Sequence, residues 1–324
     1  MADQPAYRVG QVWRGLHVNA RRPAEMTELP PLLRKRLDSS LPPALQPISE
    51  SVSDKGETVK WLFALQDGAR VETVLMHYRD RTTVCVSSQA GCAMRCSFCA
   101  TGQAGFTRHL SAGEIVEQVV AAIRQAKAHP TGERRVSNVV FMGMGEPLAN
   151  YDRLWPAIVR LHDDIGISAR HLTVSTVGVV PGIRRLATEK LPVNLAVSLH
   201  AANDRLRESL VPLNKRYPLS VLTEACRSYV AAKGRRLSFE WALIDGVNDR
   251  AEDAAELAAI AVPLAAHVNL IPLNPTPGYA VVGSSPGRVR QFRDGLTDLG
   301  VKATIRRNRG SDIDAACGQL AARA

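Results

Sequence analysis

From residue 82 onward, short apolar runs alternate with amphipathic segments, and no other feature constrains the fold as strongly. Runs at 82–87, 138–142, 171–175, 193–199, 236–243, 267–272 and 301–306 read as strands. Segments at 154–161, 183–188, 221–232 and 251–262 have helical spacing and lie between them. Two further helices are marked by their starts. Ser111 and Glu114 form a capping box ahead of Ile115, Val116, Val119, Val120 and Ile123. Ser285 and Pro286 open a helix that closes at Gly300. Parallel neighbours need long crossovers, which helices supply. Repeated βα units thus predict an α/β chain with a parallel sheet, open or closed into a partial barrel.

The chain before residue 82 differs. Stretches at 9–16 and 32–37 mix apolar and basic positions at helical spacing, and Pro30, Pro31, Pro42, Pro43 and Pro47 punctuate them. The expectation is a small basic helical unit over 1–50. Residues 51–81 predict a β-hairpin, because runs at 59–65 and 71–78 flank the turn pair Asp67-Gly68. Residues 82–324 make up the βα body. Lys and Arg outnumber Asp and Glu by 41 to 31, a net +10 that favours polyanions such as nucleic acid. The excess gathers at the ends. Over 1–40, Arg8, Arg14, Arg21, Arg22, Arg34, Lys35 and Arg36 stand against Asp3, Glu25, Glu28 and Asp38. Over 288–309, Arg288, Arg290, Arg293, Lys302, Arg306, Arg307 and Arg309 stand against Asp294 and Asp298. Either run could grip a phosphate backbone or be ordinary solvated charge. The longest apolar stretch, 257–266, is broken by Pro263 and too short to cross a bilayer. With no basic-then-apolar start, the expectation is a soluble cytoplasmic protein without membrane contact.

Six cysteines are present: Cys85, Cys92, Cys96, Cys99, Cys226 and Cys317. In a reducing compartment, clustered cysteines more often bind metal than form disulfides. Cys92, Cys96 and Cys99 are spaced C-x3-C-x2-C, with Phe98 before the last. A closed zinc site would need a fourth ligand from elsewhere. A cubane iron–sulfur cluster on three thiolates keeps one iron open for a substrate. Cys226, in an apolar helical pattern, reads as a buried structural thiol, and Cys317 alone would read the same way.

Chemistry in a parallel barrel gathers at the C-terminal ends of strands. Polar motifs fall at such ends here: Gly143-Met144-Gly145-Glu146, Ser175, Ser198-Leu199-His200 and Asn274. Gly143 and Gly145 would let the backbone approach a ligand, and Glu146 would accept bonds from an ammonium group. Singly, each has a plainer reading: a tight turn, a satisfied loop residue, a core histidine. Their joint placement after the cysteine loop is what points to a site.

Together these residues resemble the RlmN/Cfr family of radical S-adenosylmethionine (SAM) RNA methyltransferases, and its RlmN branch most. Matching stretches at 71–74, 85–89, 91–99, 143–148, 198–200, 269–275 and 309–320 run in order over nearly the whole chain. The resemblance implies a partial (β/α)6 radical SAM barrel with a small N-terminal helical accessory domain that binds RNA. It implies a 4Fe-4S cluster on Cys92, Cys96 and Cys99. It also implies SAM, two molecules per turnover, contacted at Gly145, Glu146, Ser175, Ser198, Leu199, His200 and Asn274. Val177 departs from the pattern, since many family members carry Ser there.

The implied reaction methylates carbon 2 of adenosine in 23S rRNA and in tRNA. One SAM methylates the Cys317 thiolate. A second, on the open iron, is cleaved by one electron to methionine and a 5′-deoxyadenosyl radical, which takes hydrogen from that methyl group. The methylene radical adds to the adenine carbon. Glu72 is the implied proton acceptor. Cys85 then attacks the sulfur of Cys317, leaving a Cys85–Cys317 disulfide that must be reduced. A one-electron donor such as flavodoxin is the implied partner, and a monomer is expected. Judged by its neighbours alone, Glu72 would be a solvent-exposed strand residue. Methylation of carbon 8, as in the Cfr branch, is the nearest alternative. A zinc-stabilised RNA-binding module and a radical SAM enzyme acting on a small molecule are the others.

Overall fold

The structure is a computed structural model that describes residues 4–130, 132, 134–276, 281–306 and 309–322. Asp3 and Arg307, counted above among the end charges, lie outside these residues.

The chain opens with α1 (Tyr7–Trp13), which continues into a wider helical turn at Arg14–Val18, and α2 (Pro31–Ser40), which starts on a proline as helix first turns allow. Their apolar sides meet in a small core of Val12, Met26, Leu29, Leu33 and Leu37, separate from the main one. The side chains of Arg124 and Lys127 tie this unit to the body, donating to the carbonyls of Ala20 and Asn19 at 2.8 and 2.9 Å.

Three antiparallel strands follow: β1 (Leu45–Ser53), β2 (Thr58–Leu65) and β3 (Arg70–His77). The expected hairpin is β2–β3, turning at Gly68 with φ +83°. β1 is additional. Pro47 concealed it, because proline reads as punctuation, yet an edge strand tolerates it and the register shifts there. The expected division at residue 50 therefore falls inside a strand.

β4 (Thr82–Cys85) is antiparallel to β3 and opens the parallel part of the sheet. A cysteine-bearing excursion follows, made of β5 (Gln89–Gly91), α3 (Ala100–Ala104) and β6 (Phe106–His109), with β5 and β6 paired to each other. α4 (Ala112–Lys127) then packs back over the sheet. Its capping box is formed as expected: Ser111 Oγ accepts from the Glu114 N–H at 3.2 Å, and the Glu114 carboxylate accepts from the Ser111 N–H at 2.7 Å. Regular alternation follows, through β7 (Val136–Phe141), α5 (Tyr151–Asp163), β8 (Leu172–Thr176), α6 (Val180–Thr188) and β9 (Asn194–Ser198). It continues with α7 (Asp204–Leu210), α8 (Leu219–Lys233), β10 (Leu237–Leu243), α9 (Ala251–Ala261), β11 (His267–Pro272), α10 (Pro286–Asp298) and β12 (Lys302–Ile305).

The sheet order is β1-β2-β3-β4-β7-β8-β9-β10-β11-β12. From β4 to β12 every pairing is parallel. Six βα units closed by a seventh parallel strand make up the expected (β/α)6 body, with the antiparallel strands added at its first edge. Phe141, Val174, Val197, Phe239 and Trp241 from the strands meet Leu154, Ile158, Ile183 and Leu222 from the helices in one core. α7 was not foreseen, being short and mostly polar.

The sheet stays open between β1 and β12, and residues 309–322 cross from the β12 side to the antiparallel strands. Ser53 Oγ donates to Asp312 at 2.5 Å, Lys60 Nζ to the Asp314 carbonyl at 3.3 Å, and Arg309 to the His77 carbonyl at 2.6 Å. Among the described residues, no helix is long and apolar enough to cross a membrane.

Candidate active site

The C-terminal ends of the parallel strands surround a cavity of about 980 Å³, partly open to solvent. Cys92, Cys96, Cys99, Gly145, Glu146, Ser175, Ser198, His200, Asn274 and Cys317 all line it. An adjoining cavity of about 630 Å³ shares Cys317, Cys99, Thr101 and Arg306 with the first and adds Cys85, Tyr78 and Arg309. Cys317 thus opens into both.

The cysteine loop is fixed by its own backbone and by its neighbours. The Cys92 N–H donates to the Gly105 carbonyl at 2.7 Å and the Ser97 N–H to the Leu210 carbonyl at 3.1 Å. Phe98 packs edge-on against His200, with ring centroids 4.7 Å apart, in a small apolar cluster with Ala201, Leu210, Val211 and Ile244. The aromatic residue before the last cysteine therefore pins the loop to the end of β9. The tail is stitched to the same loop. The Ala100 N–H donates to the Gly318 carbonyl at 2.8 Å, Thr101 Oγ1 to the Leu320 carbonyl at 2.5 Å, and Asn274 Nδ2 to the Cys317 carbonyl at 3.2 Å.

The donor set fits an iron–sulfur cluster. Burial pushes the Cys92 thiol up to about 12, and burial likewise raises Cys96 and Cys99, each further raised by cysteine neighbours. Such mutually repelling thiolates form readily only around a positive centre that displaces their protons. Backbone N–H groups already point at the sulfurs, from Met94 to Cys92 and from Gly102 and Thr101 to Cys99, the kind of bond that tunes cluster thiolates. Among the described residues, no three His, Cys, Asp or Glu side chains converge as one ion would require. Three thiols spread along one cavity wall suit a polynuclear group better than a single zinc ion.

Glu146 is buried, and burial lifts its carboxyl to about 7 against the bonds that hold it. Its oxygens accept from the N–H groups of Leu148 and Val177, at 3.0 and 2.9 Å. Position 177 therefore works through its main chain, and valine serves there as serine would. Gly143 and Gly145 both line the cavity, and packing gives a further reason for them. A Cβ on Gly143 would lie 2.7 Å from the Val86 carbonyl oxygen, and one on Gly145, at φ +100°, 2.5 Å from Gln89 Cβ. Close packing of this loop on the segment after β4 requires both glycines. His200, at φ +61°, is buried and held neutral, with burial pulling its pKa down to about 3. Its Nδ1 accepts from the Ala242 N–H at 3.0 Å, which places the ring proton on Nε2.

Three expected residues stand apart from the main cavity. Leu199 turns into the core, and its carbonyl accepts from Arg207 at 3.1 Å. Cys85 lines only the second cavity, where burial and then Cys317 raise its thiol to about 12. Both thiols are free. Glu72 is 2% exposed, which overturns its reading as a surface residue. It pairs with Lys60 at 2.9 Å and accepts from the N–H groups of Ala321 and Ala322, at 2.7 and 3.0 Å.

Sequence reasoning missed three charged residues at the site. Arg306 lines both cavities and is kept protonated above its ordinary range, chiefly by Cys317 and then by Glu240. Glu240 lines the main cavity; a lone acid inside the apolar run of β10 was its available signal. Arg207 is 1% exposed and bonds the carbonyls of Val177 and Leu199. It lies on α7, which gave no signal.

Comparison with known proteins agrees with this geometry. The Radical SAM superfamily model matches residues 86–258. A probable dual-specificity RNA methyltransferase RlmN of Chloroflexus aurantiacus is 53% identical, over 99% of this chain and 88% of that protein. A protein of the same name from Parafrankia sp. is 54% identical, over 98% of this chain and 86% of its own length. The crystal structure of a radical SAM methyltransferase from Sphaerobacter thermophilus superposes with a TM-score of 0.94 at 52% identity, covering 98% of this chain and 94% of that one.

Proposed function

Because the chain belongs to the RlmN family of radical SAM RNA methyltransferases, we propose that it methylates carbon 2 of an adenosine in 23S rRNA and in tRNA through a methyl group carried on Cys317. One observation carries this reading. A thiol from the far end of the chain opens into the cavity of Cys92, Cys96 and Cys99 and also into the cavity of Cys85. An enzyme acting on a small molecule has no need of that relay.

When bound, the cluster and SAM supply the one-electron cleavage that yields a hydrogen-abstracting carbon radical. The chain's own residues do the rest. Cys92, Cys96 and Cys99 hold the cluster, and Glu146 takes the amino group of SAM, whose positive charge offsets the cost of a buried carboxylate. Cys317 accepts the methyl group, and Arg306 lines both cavities into which its sulfur opens. At Cys85 the charge of Arg306 opposes the burial that raises that thiol. Asn274 and Ala100 hold the carbonyls of Cys317 and of Gly318 after it. Glu72 accepts the proton from carbon 2; its Oε2 is held by the N–H groups of Ala321 and Ala322, and its Oε1 by Lys60. The basic N-terminal unit grips RNA phosphates, which makes binding fall steeply with salt.

The test is anaerobic incubation with SAM, a one-electron reductant such as reduced flavodoxin, and unmodified 23S rRNA or tRNA, followed by nucleoside mass spectrometry. 2-Methyladenosine is expected. 8-Methyladenosine would assign the Cfr-type reaction instead, and the lack of either product would overturn the reading. Under the same conditions Cys85→Ala is expected to leave RNA covalently joined to the protein. Free methylated RNA at the normal rate would contradict the role given to Cys85.

A further inference from the structure

The geometry points to Glu240 as the residue that binds the ribose hydroxyls of the nucleoside held in the main cavity. This rests on the reading of that cavity as the SAM site and adds a specificity-determining contact to it.

β10 alternates strictly. Phe239, Trp241 and Leu243 face the core, while Ser238, Glu240 and Ala242 face the other way, and Glu240 and Ala242 line the cavity. A carboxylate buried to 4% exposure is costly unless its oxygens find partners. Among the described residues only one oxygen has one by hydrogen-bond geometry, with the Ser238 hydroxyl on the same face also steadying the carboxylate. Oε1 accepts from Asn269 Nδ2 at 2.8 Å, and Asn269 Oδ1 accepts from Thr304 Oγ1 at 3.0 Å. Thr304 Oγ1 in turn meets His267 Nε2 at 2.9 Å. Side chains of β11 and β12 thus orient the carboxylate. Its Oε2 is fully buried and has no hydrogen-bond partner among the described residues. The Arg306 guanidinium attracts the group without bonding to that oxygen. An acceptor fixed on one side and vacant on the other is a site awaiting a donor.

Position selects the donor. Glu240 is paired in register with Ser198 on β9 and with Asn269 on β11, so Ser198 and Glu240 are neighbours on strands about 4.8 Å apart, and both line the cavity. The other acid of the cavity, Glu146, acts on Cys92 and Cys96 and therefore belongs to the amino-acid end of the ligand. Glu240 acts instead on Arg306, which interacts electrostatically with Cys317 and Cys85. The middle of a nucleoside, with two vicinal hydroxyl donors, then falls between the two acids. A carboxylate accepting from ribose hydroxyls is the same chemistry by which acidic residues read the sugar in dinucleotide sites.

The test uses the anaerobically reconstituted holoenzyme and S-adenosylhomocysteine, which binds without being cleaved, together with its 2′-deoxy, 3′-deoxy and 6-desamino analogues. Affinities are read by calorimetry. The wild type is expected to bind at least one deoxy analogue roughly ten- to hundred-fold more weakly than the parent. Glu240→Gln should weaken the parent by a similar factor and bind the deoxy analogues as the wild type does. Equal wild-type affinity for parent and deoxy analogues, or full discrimination kept in Glu240→Gln, overturns the assignment. So does a Glu240-dependent loss confined to the 6-desamino analogue, which would give the carboxylate to the base. If Glu240→Gln does not fold, Asn269→Ala replaces it, since it unties the carboxylate without removing it. Partial loss of discrimination is then expected, and full retention overturns the proposal. Failure of the wild type to bind any of the four compounds would sink the SAM reading itself.

Discussion

Arg207 carries more of the site than its place in the sequence suggests. Its guanidinium, nearly out of solvent, donates to the carbonyls of Leu199 and Val177 at 3.1 and 2.6 Å and to Asn214 Oδ1 at 2.9 Å. Burial lowers its pKa to about 10, so it stays charged at neutral pH. It joins the ends of β8 and β9, from which Ser175, Ser198 and His200 enter the cavity. Arg207→Met should strand those buried carbonyls, each worth roughly 1–3 kcal/mol when left unpaired. The expected outcome is a total loss of about 3 kcal/mol or more, seen as a lower urea midpoint. A midpoint unchanged from wild type would mean that water or a rearranged turn replaces the guanidinium. Nothing in the local sequence announced this role, because an arginine on a short polar helix usually faces solvent. Glu240 was more legible, since an acid inside a run such as Leu237–Leu243 has to be explained.

At the scale of elements, β3 holds a pH-sensitive joint. His77 is fully buried, its Nδ1 meets Thr82 Oγ1 at 3.1 Å, and its ring lies edge-on to His129 at 4.5 Å. Burial, and after it the charges of His129 and Arg134, lowers its pKa to about 4. The unfolded chain protonates this histidine near pH 6.5, while the folded chain resists until about pH 4. The contribution of His77 to stability is therefore full above pH 6.5 and is lost as pH falls through about 4, up to roughly 3 kcal/mol. Urea unfolding from pH 7.5 down to 5 should show a steeper decline for wild type than for His77→Leu; parallel curves would contradict this. The β2–β3 hairpin that carries the joint was legible from alternation and Asp67-Gly68. β1 beside it was not, because Pro47 breaks the pattern that a strand is recognised by. The expected regular βα elements were found because periodicity and caps act over a few residues. The burial of Glu72 was hidden, because what covers it is Ala321 and Ala322, some 249 and 250 positions later in the chain.

For the whole molecule, the open side of the barrel is the feature that makes the chemistry possible. A closed barrel would leave no path for a C-terminal segment into its centre. Here residues 309–322 pass from β12 to β1, β2 and β3, bonded to the cysteine loop on the way. That route puts Cys317 at the wall between the two cavities. Sequence motifs identified the parts, but only the fold says that parts from residues 85, 92–99 and 317 line two adjoining cavities that meet at Cys317. The central claim is that the methyl group reaches RNA by way of the Cys317 sulfur. Its most direct test is nucleoside mass spectrometry of RNA treated with anaerobically reconstituted Cys317→Ala, checked first for iron and sulfide content equal to wild type. The account predicts a protein with its cluster intact that forms no methyladenosine. 2-Methyladenosine produced at the wild-type rate by that variant would contradict it.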